Sequence, residues 1–527
     1  MHLLWLFLVA QYCAVSSYKF LVYSPFLGHS HVKFLGQIAD VLTSGGHEVT
    51  LLMPEIDEGE LTRTGVKLTK RIIRTPGDLR SRKVLKEGRE KEYRDVWTSS
   101  VDIVTMLQIA KSRSDMLSYQ CETLINDDAL LEELRREKFD AGIAEVYYIC
   151  GLGLFDVLNI TTTMAVTALT HLDSLSYAIG EPTAISYLPC TGSSGGEKMN
   201  FFGRFRNLFG FMVERYVLDY IYENELVHFR KKFGDTKGYA DLISQASFIF
   251  TNGNPYLDFA HPTIHKTVMI GGISVEQDAL NMKEIDQKWS TILNARPHTV
   301  LISFGSMAKS VDMPPQYTRA LLDTFSSMPN VTFIWKYENE ASNIVADYPN
   351  VHLSSWVPQT ALLNDDRLSL FVTHGGIAST NEVAFMGKPA IVVPIFGDQM
   401  RNARMLVRHG GALMLHKFEI ADSQKLIGSI KTVLDDASFA EQAVRLSQML
   451  RNQPVSTHEL LLKHAQFAAR FGRLPNLDPY GRQLSLLQYY LVDIFAAITA
   501  VALIPVTILV LLLRKCCRRN ERKSKTD

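Results

Sequence analysis

The chain has 527 residues, with 55 lysines and arginines against 55 aspartates and glutamates, so its formal net charge is zero. This balance gives no argument for a nucleic-acid partner, which would favour an excess of basic residues. The length suffices for two or three domains, and 46% hydrophobic residues suit a globular protein with some membrane-embedded length.

The first 16 residues predict a signal peptide. Residues 3–10 are apolar, and Ala14 and Ser16 have the small-residue spacing that signal peptidase prefers, so cleavage is expected after Ser16. The usual positive flank is absent. A buried first strand is the alternative, but a better strand begins at Tyr18.

The next segment predicts a strand, a helix and a second strand. Residues 18–24 and 48–54 are apolar runs, and apolar residues recur at helical spacing from His31 to Thr43, with Ser30 as a plausible N-cap. Such a βαβ unit indicates a parallel sheet.

Two later segments have a different character. The charged residues 71–95 predict a solvated loop and helix. Residues 196–216 mix aromatic and basic side chains, which predicts either a helix lying on a membrane surface or an ordinary helix that faces the core.

A second series of strands and helices begins near Trp289. Strands are predicted at 299–305, 331–337, 368–373, 389–396 and 412–416, with helices between them and onward to about 472. Two doubly wound halves with a cleft between them are therefore expected, an α/β fold. Ligands of such sheets bind outside the carboxyl ends of the strands.

The stretch "THGGIAST" follows one of these strands. Gly375 and Gly376 would let the backbone approach a ligand closely, and the following helix would present free N–H groups and the positive end of its dipole. His374, Ser379 and Thr380 add donors. A diphosphate is the best-matched ligand, although glycine turns also open helices that bind nothing.

Further polar and aromatic side chains stand at neighbouring positions. A tryptophan face suits stacking on a base, a glutamine suits a base edge, a serine suits a phosphate, and acids suit ribose or sugar hydroxyls. A core tryptophan and a helix N-cap at position 398 are the alternatives without a ligand. These residues are Ser306, Trp356, Gln359, Glu382, Asp398 and Gln399.

The segment "WVPQTALL…FVTHGGIASTNEVAFMGKPAIVVPIFGDQMRNARML" resembles the signature of the UDP-glycosyltransferases. The chain is most similar to the animal UDP-glucuronosyltransferases of the endoplasmic reticulum, over nearly its whole length. The resemblance implies a GT-B fold with two Rossmann-like domains: an acceptor-binding domain at 17–285 and a donor-binding domain at 286–480. It implies a UDP-sugar as co-substrate and no cofactor.

The resemblance also implies roles for individual residues. Trp356 stacks on uracil with Gln359 beside it; Ser306, His374, Gly376 and the Ser379–Thr380 backbone contact the diphosphate; Glu382 binds ribose; and Asp398 and Gln399 hold the sugar. The family often has asparagine where this chain has Ala378. One phosphate donor is therefore expected to be absent, and backbone N–H groups would compensate.

A catalytic base is expected from the N-terminal half. "GHSHVKFLGQIADVLTSGGHEVT" matches the family with His31, rather than His29, at the position of the base. A neutral imidazole suits deprotonation of a hydroxyl near neutral pH, whereas a helix-starting residue without chemistry is the alternative. Glu145 ends a predicted strand where the family commonly has an aspartate that orients the base. Asp140 is the second candidate, but it opens that strand.

The implied reaction is direct displacement at the anomeric carbon, with inversion. The chain contains no Asp-x-Asp triplet, which fits a metal-independent enzyme in which a helix dipole and hydrogen bonds stabilise the leaving group. The donor is UDP-glucuronate or UDP-glucose, and the resemblance implies a small lipophilic hydroxyl acceptor, a role in detoxification and compatibility with a homo-oligomer.

Two other functions are alternatives on this fold class. A catalytically silent lumenal binding protein on the same fold would be favoured by loss of His31 or of Asp398 and Gln399, and these residues are present. A nicotinamide oxidoreductase would need G-x-G-x-x-G after the first strand, where this chain has "SPFLGHSH".

Residues 491–513 are long and apolar enough to span a bilayer, with Asp493 at the lumenal edge and Pro505 as a tolerated kink. The basic tail at 514–527 predicts a cytoplasmic end, hence a single-pass type I topology with the body in the lumen. Lys523 and Lys525 resemble a dilysine retrieval signal of the endoplasmic reticulum; a plain stop-transfer cluster is the alternative.

The lumenal cysteines are few. Cys121, Cys150 and Cys190 are too few for a disulfide framework. Two of them could form one bridge, but their spacing does not show which two. Sequons for N-glycosylation begin at Asn159 and Asn330.

Overall fold

The computed structural model describes residues 17–99, 103–193, 195–275 and 285–523. The chain divides into two compact units, the first ending at Leu477 and the second beginning at Asp478. The predicted signal peptide and Lys525 of the predicted retrieval signal lie outside the described residues.

The larger unit contains two parallel sheets. The first has the strand order β3-β2-β1-β4-β5-β6-β7. Its inner strands are apolar runs buried on both faces, as parallel sheets covered by helices require. The strands are β1 Lys19–Tyr23, β2 Glu48–Pro54, β3 Arg71–Thr75, β4 Ala141–Glu145, β5 Thr163–Thr167, β6 Phe248–Thr251 and β7 Thr267–Met269.

The second sheet has the order β10-β9-β8-β11-β12-β13. In each sheet the strand order reverses beside the first strand, between β1 and β4 and between β8 and β11. A crevice opens at the carboxyl ends of the strands at such a switch point. The strands are β8 His298–Ser303, β9 Val331–Lys336, β10 Val351–Ser354, β11 Leu368–Thr373, β12 Ala390–Val392 and β13 Ala412–Met414.

Helices cover both faces of the two sheets and complete four apolar cores. The helices are α1 His29–Ser44, α2 Leu79–Asp95, α3 Ile103–Ile125, α4 Asp128–Glu137, α5 Cys150–Val157, α6 Asp173–Ile179, α7 Phe201–Phe233, α8 Tyr239–Ser244, α9 Gln287–Leu293, α10 Pro315–Ser327, α11 Gln359–Asn364, α12 Ile377–Met386, α13 Gln399–Val407, α14 Ser423–Asp435, α15 Ala437–Arg451 and α16 Thr457–Phe471.

Two segments cross between the halves. Helix α16 follows the second sheet in the chain, yet Leu461, Ala465 and Ala468 are buried in a core of the first sheet. Trp97, between α2 and α3, is fully buried in a core of the second sheet, where its Nε1 donates to the Lys309 carbonyl at 3.2 Å. These crossings tie the two halves of the larger unit together. The predicted domain boundary at 285 stays a prediction.

Two local expectations were wrong. Helix α1 begins at His29, not at His31, because Gly28 adopts a positive φ of 73° and its carbonyl already accepts the N–H of His31; Ser30 is therefore inside the helix and not its N-cap. Residues 71–75, expected as a solvated loop, form the edge strand β3, whose main chain pairs with β2.

A disulfide joins Cys121 in α3 to Cys150 at the start of α5. Cys190 is buried and free. The sequence left this pairing open because spacing does not show which helices pack together.

The smaller unit contains α17 Leu486–Tyr489 and α18 Val492–Lys523. By length and composition, the stretch Val492–Cys516 could cross a membrane, close to the predicted span. Pro505 lies inside this helix.

Candidate active site

The switch point of the first sheet brings His31 and Glu145 together. His31 lies in the first turn of α1, which follows β1, and Glu145 is the last residue of β4. The Nδ1 atom of His31 lies 2.8 Å from Oε1 and 2.9 Å from Oε2 of Glu145. The alternative partner, Asp140, lies before β4 and accepts the backbone N–H of Lys19 at 2.7 Å, at the opposite end of the strands.

The Glu145 carboxylate is fully buried and held in place by its neighbours. It accepts the backbone N–H of Ala168 at 3.0 Å and the Tyr148 hydroxyl at 3.4 Å. Burial lowers the pKa of His31. The charge and the hydrogen bond of Glu145 raise it by more than burial lowers it, so the net pKa lies above the usual value. With Nδ1 directed at the carboxylate, Nε2 is the ring nitrogen left to accept a proton.

The switch point of the second sheet brings together the ends of β8 and β11. A Cβ atom on Gly305 would lie 2.6 Å from the His374 ring, and one on Gly376 would lie 2.8 Å from His374 Nε2. Gly305 also has a φ of 83°. Glycine at these positions lets the backbone close around the imidazole, with Ser306 exposed beside it.

His374 is a neutral side chain here. Burial and then the nearby charge of Lys336 lower the pKa of His374 to about 4. Its Nδ1 is buried and has no hydrogen-bond partner among the described residues. Such an orphaned polar atom beside the N-terminus of α12 fits a site completed by a polar ligand. Ala378, in the first turn of α12, is exposed and offers no side-chain donor.

Lys336 lies in the candidate site and was not predicted from the sequence. Its Nζ donates to the Gly305 carbonyl at 2.6 Å and lies 5.8 Å from the Trp356 ring centre. Burial lowers the pKa of Lys336, although Glu338 acts in the opposite sense. The one signal in the sequence that could have indicated Lys336 is its position, a lysine at the end of a buried apolar strand.

The carboxylate of Glu382 is oriented by its neighbours. The Gln359 amide donates to Glu382 and, at 3.1 Å, to Ser379 Oγ, while the Thr360 hydroxyl donates to Glu382 at 2.9 Å. Gln359 therefore positions Glu382 in this structure, and its predicted place beside the uracil stays a prediction. The Thr380 hydroxyl is buried and donates to the Gly375 carbonyl at 3.2 Å, which fixes the glycine turn.

The N-terminal half reaches across to Trp356, whose side chain is 51% exposed. The Arg63 guanidinium lies 4.7 Å from the centre of the Trp356 ring, and His29 contacts the ring edge-on at 5.6 Å. Lys33 Nζ lies 3.8 Å from a Glu382 oxygen. No local pattern in the sequence indicates these contacts, which join residues about three hundred positions apart.

Asp398 and Gln399 follow β12 at the same edge of the second sheet. Asp398 accepts from Asn402 Nδ2 at 2.7 Å, and the Gln399 oxygen accepts the backbone N–H groups of Ile395 and Phe396 at 2.8 and 3.0 Å. Burial raises the pKa of Asp398, and the charges of Asp398 and His31 act on each other. The two sheet edges therefore face each other across the crevice.

The two predicted glycosylation sites are exposed. Asn159 follows α5 with a φ of 57°, and Asn330 immediately precedes β9. Their modification stays a prediction.

Comparison with known proteins identifies the family. The family model described as UDP-glucoronosyl and UDP-glucosyl transferase matches residues 19–526. Putative UDP-glucuronosyltransferase ugt-48 of Caenorhabditis elegans is 29% identical over 509 residues, 95% of each chain. Human UDP-glucuronosyltransferase 1A8 is 26% identical over 502 residues, 94% of this chain and 90% of its own.

The fold is also found among solved structures. Phytolacca americana UGT2, complexed with UDP-2fluoro-glucose and pterostilbene, aligns with a TM-score of 0.55 at 18% identity, over 86% of this chain and 100% of that one. The two parallel sheets correspond to the GT-B fold expected from the sequence. The chain belongs to the UDP-glucuronosyl and UDP-glucosyl transferase family and is a UDP-glycosyltransferase.

Proposed function

We propose that this enzyme transfers a glucuronosyl or glucosyl group from its UDP-sugar to a hydroxyl of a small lipophilic acceptor, with inversion and with His31 as general base. The observation that supports this most directly is the contact of His31 Nδ1 with both oxygens of the buried Glu145. This pairing leaves Nε2 at the crevice as the proton acceptor.

In the proposed reaction, His31 Nε2 takes the proton of the acceptor hydroxyl. The acceptor oxygen attacks the anomeric carbon from the face opposite the diphosphate, and the bond from that carbon to the diphosphate oxygen breaks. Glu145 stabilises the imidazolium. An α-linked donor then gives a β-glycoside and UDP.

The leaving diphosphate needs compensation for its growing negative charge. The neutral His374, the cation of Lys336 and the backbone N–H groups at the start of α12 supply it. On this basis we propose a metal-independent reaction, which EDTA should leave unchanged. Trp356 would hold the uracil, Glu382 the ribose, and Asp398 with Gln399 the sugar hydroxyls.

The proposed location is the membrane of the endoplasmic reticulum, with the catalytic body in the lumen. The apolar stretch Val492–Cys516 and the predicted signal peptide support a single-pass type I arrangement. Conjugation of lipophilic hydroxyl compounds there is a detoxification reaction.

The test is transfer by microsomes that contain the full chain. UDP-glucuronate and UDP-glucose are each supplied with a panel of phenols, and the product's anomeric configuration is determined by NMR. We expect His31→Ala to reduce kcat/KM by about 10²–10⁴-fold, as loss of a general base does. His265→Ala, at an exposed histidine outside the crevice, is the matched control and should keep full activity.

Each outcome decides one part of the proposal. Activity that survives in His31→Ala would remove His31 as the base, and an α-linked product would exclude inversion. Product with one donor identifies the sugar. No product with either donor would instead favour a catalytically silent binding protein.

A further inference from the structure

Arg63 covers the ring of Trp356 from the N-terminal half of the chain. Its guanidinium carbon lies 4.7 Å from the ring centre, which is within the range of cation–π contacts. The ring is nevertheless half-exposed. The side chain proposed to hold the uracil is therefore already in contact with a residue that the proposed reaction does not use.

The segment that carries this arginine, residues 57–65, is seated on the N-terminal half at both ends. The N–H of Asp57 donates to the Phe26 carbonyl at 2.9 Å. At the other end Gly65 has a φ of 75°, and its backbone lies so close to α1 that a Cβ atom there would clash with the Val32 carbonyl. The backbone of the segment is thus fixed relative to α1, the helix that carries the candidate base.

The Glu60 carboxylate links Arg63 to His29. One of its oxygens lies 3.7 Å from Arg63 Nη1, and the other lies 3.3 Å from His29 Nδ1. The His29 ring in turn contacts the Trp356 ring edge-on, with 5.6 Å between the ring centres. His29, which is not at the position of the candidate base, thus belongs to a chain of contacts that orients the arginine over the ring.

The guanidinium of Arg63 can move although the backbone of its segment is fixed. The side chain is 44% exposed, and its distance of 3.7 Å from Glu60 is longer than a hydrogen bond. A base that enters between the guanidinium and the indole needs about 3.5 Å, the contact distance of stacked carbon atoms. A flexible arginine side chain can move outward by that distance, and its planar group stacks well on a nucleobase.

Net charge does not explain the contact. Three cations lie in this part of the site, and each has an acid within 4 Å. The pairs are Arg63 with Glu60, Lys33 with Glu382 and Lys336 with Glu338. A fourth acid, Glu340, accepts the N–H of Ser355 beside the ring. The surroundings are therefore not cationic overall, and uracil is uncharged, so stacking is the interaction that the arginine offers.

We propose that Arg63 stacks on the second face of the uracil, so that the base lies between the guanidinium and the indole of Trp356. This role rests on the proposed function, which assigns Trp356 to the uracil. The base would displace the guanidinium outward from the ring, while Glu60 and His29 keep it aligned. Because residues 57–65 are seated on α1, the bound nucleotide would contact both halves and fix the helix of the candidate base relative to the donor.

The competing role for Arg63 is to block the ring. A blocking side chain would leave when UDP binds, so its removal would strengthen UDP binding. A stacking side chain contributes to the complex, so its removal would weaken binding. The seated segment favours stacking, because it keeps the guanidinium within reach of the base after the guanidinium has moved.

The test measures the affinity for UDP by calorimetric titration of the full chain in detergent micelles. We expect Arg63→Ala to raise the Kd for UDP by about three- to five-fold, the loss that corresponds to one exposed cation–π contact. Arg63→Lys keeps the charge without the planar group and should recover only part of the affinity. Arg319→Ala, at an exposed arginine of α10, is the matched control and should leave the Kd unchanged.

The kinetic counterpart is a higher KM for the UDP-sugar in Arg63→Ala with kcat near the wild-type value, because the stack holds the ground state and the transition state alike. The unfolding midpoint should equal that of the wild type; a lower midpoint would attribute the loss to the fold and overturn the proposal. Full recovery in Arg63→Lys would also overturn it, since charge and not the planar group would then act.

Unchanged or tighter UDP binding in Arg63→Ala would likewise overturn the proposal, and tighter binding would assign Arg63 to blocking. Trp356→Ala separates this failure from failure of the proposed function. If Trp356→Ala weakens UDP binding and Arg63→Ala does not, only the role of Arg63 is rejected. If Trp356→Ala leaves the Kd unchanged, the assignment of Trp356 to the uracil fails, and the role of Arg63 fails with it.

Discussion

Both carboxylate oxygens of Glu145 lie within 2.9 Å of His31 Nδ1, and the carboxylate itself is fully buried. One ring nitrogen is thus held by an acid that water does not reach. The other is left to take a proton, so in the proposed mechanism the charge state of His31 controls the reaction.

The activity should therefore depend on pH through His31. Burial lowers its pKa and Glu145 raises it more, and the net pKa is raised. A base must be neutral, so kcat/KM should fall as the pH falls through this raised pKa. Glu145→Gln removes the charge that raises it, and we expect the acid limb to move to lower pH while the plateau rate falls.

The measurement is a profile of kcat/KM against pH for the wild type and Glu145→Gln. Asp140→Asn is the control, because Asp140 lies at the opposite end of the strands. An acid limb that stays in place in Glu145→Gln would contradict the assignment of this limb to His31.

Trp356 should contribute to nucleotide binding. Loss of a stacking ring typically costs about 1–3 kcal/mol per base, so Trp356→Ala should weaken UDP binding by about that amount, with Trp356→Phe in between. Calorimetric titration with UDP measures this. The half-exposed ring contributes little to packing; an equal loss in the free energy of unfolding would show a structural role instead.

Ala378→Asn should add the side-chain donor that the resemblance implies is missing. A hydrogen bond to a diphosphate oxygen would lower the KM for the UDP-sugar by a few-fold, corresponding to about 0.5–1.5 kcal/mol. Ala378→Leu adds volume without a donor and is the control. If both substitutions change KM alike, the effect is steric and the proposed contact is wrong.

Lys336 should act on the leaving group. Lys336→Met removes a cation that donates to the Gly305 carbonyl and depresses the pKa of His374, which should then rise from about 4. We expect kcat to fall by about 10²-fold, the usual loss for one preorganised donor. Lys336→Arg should retain part of the rate; a Met variant with unchanged kcat would exclude this role.

Trp97 should stabilise the larger unit. It is fully buried in a core of the second sheet although it belongs to the N-terminal half of the chain. Trp97→Ala should reduce the free energy of unfolding by about 3–5 kcal/mol, and Trp97→Phe by less. Denaturant unfolding tests this, and an unchanged midpoint for Trp97→Ala would refute a packing role.

Much of the C-terminal half was predictable because its information is local. Apolar runs indicated its strands, and the glycine turn before α12 stands in a continuous signature that also includes Trp356 and Asp398. Edges and ends were less predictable. Residues 71–75 looked like a charged loop, since an edge strand is stabilised by main-chain pairing with β2 and not by an apolar pattern.

By itself, the sequence determined the fold class and the residue types of the candidate site, because strand periodicity and the signature depend on neighbours in the chain. Only the tertiary structure decided which distant groups meet. The neighbouring positions of β1 and β4 place His31 beside Glu145, and the packing of β8 and β9 beside β11 places Lys336 near His374. Such contacts arise from the order of strands in a sheet, which local sequence patterns do not encode.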